Sequence, residues 1–167
     1  MRQANLASFP IQPNPIDVAE DIVLAQDWDF ERRGDDEMVA EIPGKWCDLG
    51  LLLAWSPEIS ALHLSCALDL KLAKTNKTQV FELLAKANEK LWLGHFSLWT
   101  EESVPIFRHS VLLDRQEKIT WDFLANLIEI AVHECEKFYP AFQYVVWGGK
   151  TATDAINAVM LETVGEA

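Results

Sequence analysis

Basic residues are scarce in this chain: 14 Lys and Arg stand against 26 Asp and Glu, for a formal net charge of −12 over 167 residues. A surface made for nucleic acid or for an anionic membrane needs a positive field, so neither is expected as a partner. The basic pair Arg32-Arg33 is followed at once by Asp35, Asp36 and Glu37. A cationic partner, or a client polypeptide with basic stretches, suits this charge better. Cysteine is also sparse. Cys47, Cys66 and Cys135 have no regular spacing, so no disulfide framework is expected and a reducing compartment is the simpler one. The first residues carry no apolar signal-peptide core. Apolar runs such as Leu49 to Trp55 are too short to span a bilayer. These absences make the cytoplasm the expected location.

Catalytic patterns are missing too. There is no G-x-S-x-G, and no cysteine stands in a recognisable nucleophile context. The histidines are His63, His95, His109 and His133. His133-Glu134-Cys135 is the densest cluster, but neighbours on a helix diverge around its axis. His63 and Cys66 fall on opposite faces of an alternating strand. His95 and His109 can meet across a hairpin, but further ligands are lacking. Gly148-Gly149-Lys150-Thr151 has the look of a phosphate loop. A Walker loop needs a glycine five positions before its Gly-Lys pair, and Tyr144 stands there. The glycines read instead as a turn, with Thr151 capping a helix and Asp154 at its third position. The expectation is a protein that is not an enzyme and has no cofactor, no metal and no catalytic residue.

What is present is a full set of alternating elements. Residues 1–13 are polar and proline-bearing and read as a flexible arm; 14–167 read as one domain. Asn14-Pro15-Ile16-Asp17 is a helix start, and Ile16, Ala19, Ile22 and Val23 form its apolar stripe to about Gln26. Strands follow at Trp28–Arg33 and Met38–Ile42 around Gly34-Asp35-Asp36. The apolar run to Trp55 predicts a central strand covered on both faces. Leu62, Leu64, Cys66, Leu68 and Leu70 alternate with His63, Ser65, Ala67 and Asp69, a half-buried strand. A second helix, capped by Asn76 or Thr78, carries Val80, Leu84, Ala87 and Leu91. Gly94 opens a hairpin of His95–Thr100 and Ile106–Leu113. A third helix runs from about Thr120 to Phe138 and stops at Pro140. Residues 141–147 read as extended or irregular, and a short helix runs from Thr151 to about Leu161. Hairpins make an antiparallel sheet, so the fold class is α+β: helix, four strands, helix, two strands, helix and a C-terminal helix.

The chain holds seven tryptophans. Trp55 and Trp121 lie in apolar patterns and read as core. Trp92, Trp99 and Trp147 are candidates for an apolar surface that meets another chain, with His95 and Arg108 beside Trp99 on the hairpin. Against this stand burial of all three within the monomer and an ordinary strand ion pair for Arg108.

Asn88-Glu89-Lys90-Leu91-Trp92-Leu93-Gly94-His95-Phe96, Phe107-Arg108-His109, Pro140-Ala141-Phe142-Gln143 with Trp147-Gly148-Gly149-Lys150, and Leu62-His63-Leu64-Ser65-Cys66 together resemble the YbjN family of bacterial proteins. The resemblance spans roughly Pro15 to the C-terminus. It implies a fold similar to type III secretion chaperones, a role in regulating sensory transduction and a homodimer. It carries over no catalytic residues. The expected function is a cytoplasmic regulator or chaperone-like protein-binding domain, acting as a homodimer on a partner or client. The alternative is a small-ligand sensor or unrecognised enzyme with a pocket near the 95–109 hairpin.

Overall fold

In a computed structural model the described residues are 14–72, 77–113 and 119–165, with side chains described to residue 161. The expected arm, residues 1–13, lies outside them. Four helices and six strands follow the predicted order. Helix α1 (Pro15–Ala25) starts where Asn14 Oδ1 accepts from the N–H of Ile16 at 2.9 Å. Strands β1 (Asp29–Arg32), β2 (Glu37–Ile42), β3 (Leu49–Ser56) and β4 (Ala61–Leu68) form an antiparallel meander. Helix α2 (Lys77–Asn88) leads to β5 (His95–Trp99) and β6 (Val104–Leu112). Thr78 lies inside α2, and Asn76 falls outside the described residues. Because β6 pairs with β4, the sheet order is β1-β2-β3-β4-β6-β5.

Alternation sorts each strand's side chains onto two faces. Met38, Leu53, Leu64, Cys66, Phe107 and Phe96 point to one face and are buried with the helices in a single core. Phe96 sits at its centre, with the rings of Phe107, Phe138 and Phe142 edge-on at 5.5 to 5.6 Å. Arg32 ties β1 to α1 through Asp17 and Glu20, each at 2.7 Å.

Three local expectations are overturned. Strand β3 is central but covered on one face only: Leu49, Leu51 and Leu53 are buried, while Gly50 is exposed and Leu52 and Ala54 are half-buried. An unbroken apolar run cannot say how many faces are covered, because Gly and Ala are small enough to be tolerated at a surface. Pro140 does not end the third helix, and 141–147 are not extended. Helix α3 runs Trp121–Val146 through it. Proline removes one backbone bond, a cost of roughly 3 kcal/mol in a helix interior. Phe138, Tyr139, Pro140, Ala141, Phe142 and Val145 are all buried along this stretch, and their packing outweighs the loss. Trp121 is not core; it is 42% exposed at the first turn of α3.

Gly148-Gly149 does serve as the turn. Lys150 N–H donates back to the Tyr144 carbonyl at 3.0 Å, and Gly149 sits at φ +61°. Thr151 Oγ1 then accepts from the N–H of Asp154 at 3.1 Å and opens α4 (Ala152–Gly165).

Candidate functional site

Among the described residues, every buried hydrophobic side chain of the strands lies on the face that packs with the helices, and none lies on the second face. The register maps that face row by row. One row runs Asp29, Glu41, Gly50, Ala67, Ile106, Ser97. The next runs Glu31, Val39, Leu52, Ser65, Arg108, His95. A third holds Glu37, Ala54, His63 and Ser110. The middle is apolar and half-buried, at Val39, Leu52, Ala54, Ala67 and Ile106. The β1–β2 end carries carboxylates, and the β5–β6 end carries Arg108 and His95.

Three of the residues singled out in sequence meet here. Trp99, His95 and Arg108 are exposed on this face, with His95 opposite Arg108 and Trp99 at the far end of β5. Trp92 and Trp147 do not join them. Trp92 is 97% exposed in the connection after α2, and Trp147 is 63% exposed at the end of α3. His109 is separated from Arg108 by the alternation and stands opposite Leu64. Among the described residues no carboxylate lies within ion-pair distance of Arg108, so the strand ion pair expected for it is not formed there.

The register also brings in residues that spacing alone did not select. His63 Nδ1 is 2.8 Å from Ser110 Oγ, and its Nε2 is 3.2 Å from Ser65 Oγ. Ser65 is buried, a polar side chain satisfied by this imidazole. Burial pushes the His63 imidazole below its ordinary value, and the positive charges of Arg108, His95 and His109 push the same way. Neutral His63 donates to one hydroxyl and accepts from the other. The alternation of residues 62–70 was the signal for His63 and Ser65; the pairing with β6 that supplies Ser110 had none.

Two hollows flank these surfaces. One, of about 600 Å³, lies between α1 and the first half of α3. Ile22, Trp28, Ile42, Trp121, Ala125 and Val132 give it apolar walls, and Asp122 and Glu129 line it as well. Trp121, read from the sequence as core, lines this groove with Ala125 and Val132; the buried residues of this half of α3 are Leu124, Ile128, Ala131 and Cys135. The other hollow, of about 380 Å³, touches the 95–109 hairpin at Trp99, Glu102 and Val104. Its charged lining is Glu41, Asp48, Asp69 and Glu102, without His95 or Arg108. An anionic ligand does not suit four carboxylates. No group of His, Cys, Asp and Glu among the described residues could hold a metal ion. No helix among them is long and apolar enough to cross a membrane.

A family model described as "Putative bacterial sensory transduction regulator" matches residues 15–144. The chain belongs to the YbjN family. The YbjN match begins at the first residue of α1, takes in the whole sheet and ends inside α3. It therefore includes both the uncovered face and the α1–α3 groove, while Trp147-Gly148-Gly149-Lys150 and α4 lie beyond it. No curated protein matches this chain at a significant level.

Proposed function

We propose that this protein is a non-enzymatic regulator that acts as a homodimer and binds a partner polypeptide. One observation carries the reading: among the described residues the strands bury their hydrophobic side chains on one face of the sheet only, and apolar side chains stay accessible in two separate places. The α1–α3 groove suits a client. It combines Trp28, Trp121 and Ile22 with Asp122 and Glu129, so it fits an apolar segment carrying Lys or Arg. The net charge of −12 favours the same client chemistry and speeds its encounter. A regulator that works by holding a partner also agrees with the family description.

The test is a crosslinking pull-down from the source cell, read by mass spectrometry, with the natural chain and a Trp121→Ala/Glu129→Lys variant. The expected result is a captured polypeptide that the variant loses. Equal recovery by both would remove the groove from the reading. Turnover of a small molecule dependent on His63 or Arg108 would replace it with an enzymatic one.

A further inference from the structure

The uncovered face carries two carboxylates opposite one another at one end and the Arg108 guanidinium at the other. Asp29 stands opposite Glu41 on β1 and β2, and Arg108 stands opposite His95 on β6 and β5. Like charges in directly opposed positions, as at Asp29 and Glu41, destabilise a sheet. Neither Asp29 nor Glu41 has a cation within ion-pair distance among the described residues; Arg33 is taken up by Glu31 and Glu37, at 3.7 Å each. Each pair lacks what the other supplies, yet they lie at opposite edges of the six-stranded sheet.

We infer that a second copy of this chain seats on this face, related by a two-fold axis parallel to the strands and lying between β3 and β4. This rests on the homodimer reading above and specifies its interface. Such an axis lays β1 and β2 of one copy over β5 and β6 of the other. It brings Arg108 and His95 to the Asp29–Glu41 pair, twice. The pairs are offset by one cross-strand row, about 7 Å along the strands, which the long side chains of Arg108 and Glu41 can span. An axis perpendicular to the strands would instead stack carboxylates on carboxylates.

The centre of the face fits this occupant. Val39, Leu52, Ala67 and Ile106 form an apolar patch with the charges at its edges, the usual layout of a core and polar rim. Six strands about 4.8 Å apart and about six residues long present roughly 600 Å² per copy. Two copies would bury roughly 1,200 Å², the lower end of the range for a specific complex. Gly50 is exposed near the middle and lets the second sheet approach.

The experiment is light scattering and sedimentation on three full-length chains: natural, Arg108→Glu, and Asp29→Lys/Glu41→Lys. All these side chains are exposed, and circular dichroism checks that each variant folds. The natural chain is expected to be dimeric, and each variant alone to self-associate about tenfold more weakly or worse. Mixing the two variants is expected to restore a 1:1 dimer. The carboxylate introduced by Arg108→Glu then meets the two introduced lysines, while Arg108 of the lysine variant meets Asp29 and Glu41 of the other copy. Dimers that persist in both variants would overturn this interface and leave the homodimer reading standing. Weakened variants that do not recover on mixing would also overturn it. A natural chain that is strictly monomeric would sink the homodimer as well, without touching the client groove.

Discussion

Asn88 holds Phe96 by both backbone atoms: its Nδ2 donates to the Phe96 carbonyl at 3.0 Å, and its Oδ1 accepts from the Phe96 N–H at 2.6 Å. The last residue of α2 thus stands in for a neighbouring strand on the outer edge of β5. This protects an edge that would otherwise offer unpaired groups. It also gives the Asn88-to-Phe96 stretch, a main carrier of the family resemblance, a structural reason. The two bonds fix the strand from which Phe96 enters the aromatic centre of the core.

Asn88→Ala therefore costs about 2 kcal/mol of stability, from two lost bonds that leave partly buried backbone groups unpaired. Asn88→Asp keeps the acceptor, loses the donor and falls between. Urea denaturation of the three chains measures the order. An unchanged midpoint for Asn88→Ala would show that water replaces the clamp.

Gly94 and Gly149 separate conformational strain from crowding. Both have positive φ, +68° and +61°. A Cβ on Gly149 meets nothing within 4 Å, whereas one on Gly94 runs into the Phe107 ring and comes within 2.8 Å of the Arg108 carbonyl. Gly149→Ala is expected to cost about 1 kcal/mol, from the left-handed backbone alone. Gly94→Ala should cost about 3 kcal/mol or more, because a core ring must also move. Equal losses in thermal or chemical unfolding would refute the crowding.

His63 makes stability depend on pH. Burial and then the charges of Arg108, His95 and His109 hold its folded pKa below the ordinary 6.5. Between those two values the unfolded chain binds more protons, so protonation favours unfolding. The contribution is intact above about 6.5 and is lost as pH falls towards the lowered folded value. His109 shifts in the same direction, chiefly by burial. Denaturation at pH 7.5 and pH 5 should show a smaller acid loss in His63→Gln than in the natural chain. If neither His63→Gln nor His109→Gln alters the slope, the carboxylates govern it.

The cysteines should be slow to react in the folded state. Cys66 and Cys135 are buried, and Cys135 Sγ lies 3.7 Å from the Cys66 carbonyl, to which it donates. An interaction with the Cys66 side chain and then burial push the Cys135 thiol well up, and burial pushes Cys47 up as well. Thiol titration at pH 8 is expected to label at most Cys47, slowly, and all three on unfolding. Rapid labelling of Cys135 in the native protein would mean that α3 opens from β4.

Much of this molecule is legible from short-range pattern. The Asn14 cap, the stripe of α1, the alternation of residues 62–70, the hairpin turns and the Thr151 cap all rest on interactions within a few residues, and each has its structural counterpart. Pro140 misleads for the same reason: the local rule that proline stops a helix gives way where burial of a whole helix turn prevails. Trp121 matches a helical stripe, but a stripe has two flanks, and the packing of α1 leaves that one to the groove.

The composition and local order of residues determined the element sequence, the α+β class and the acidic character of the protein. Only the tertiary structure decided which face of the sheet packs against the helices, that Arg108 lies between Ser65 and His95, and that Asp29 faces Glu41. Helix stripes and caps depend on neighbours one to four residues apart, and these can be read along the chain. Strand register joins residues tens of positions apart, and the direct pairing of β4 with β6 places α2 and β5 between them in sequence; no local spacing encodes it.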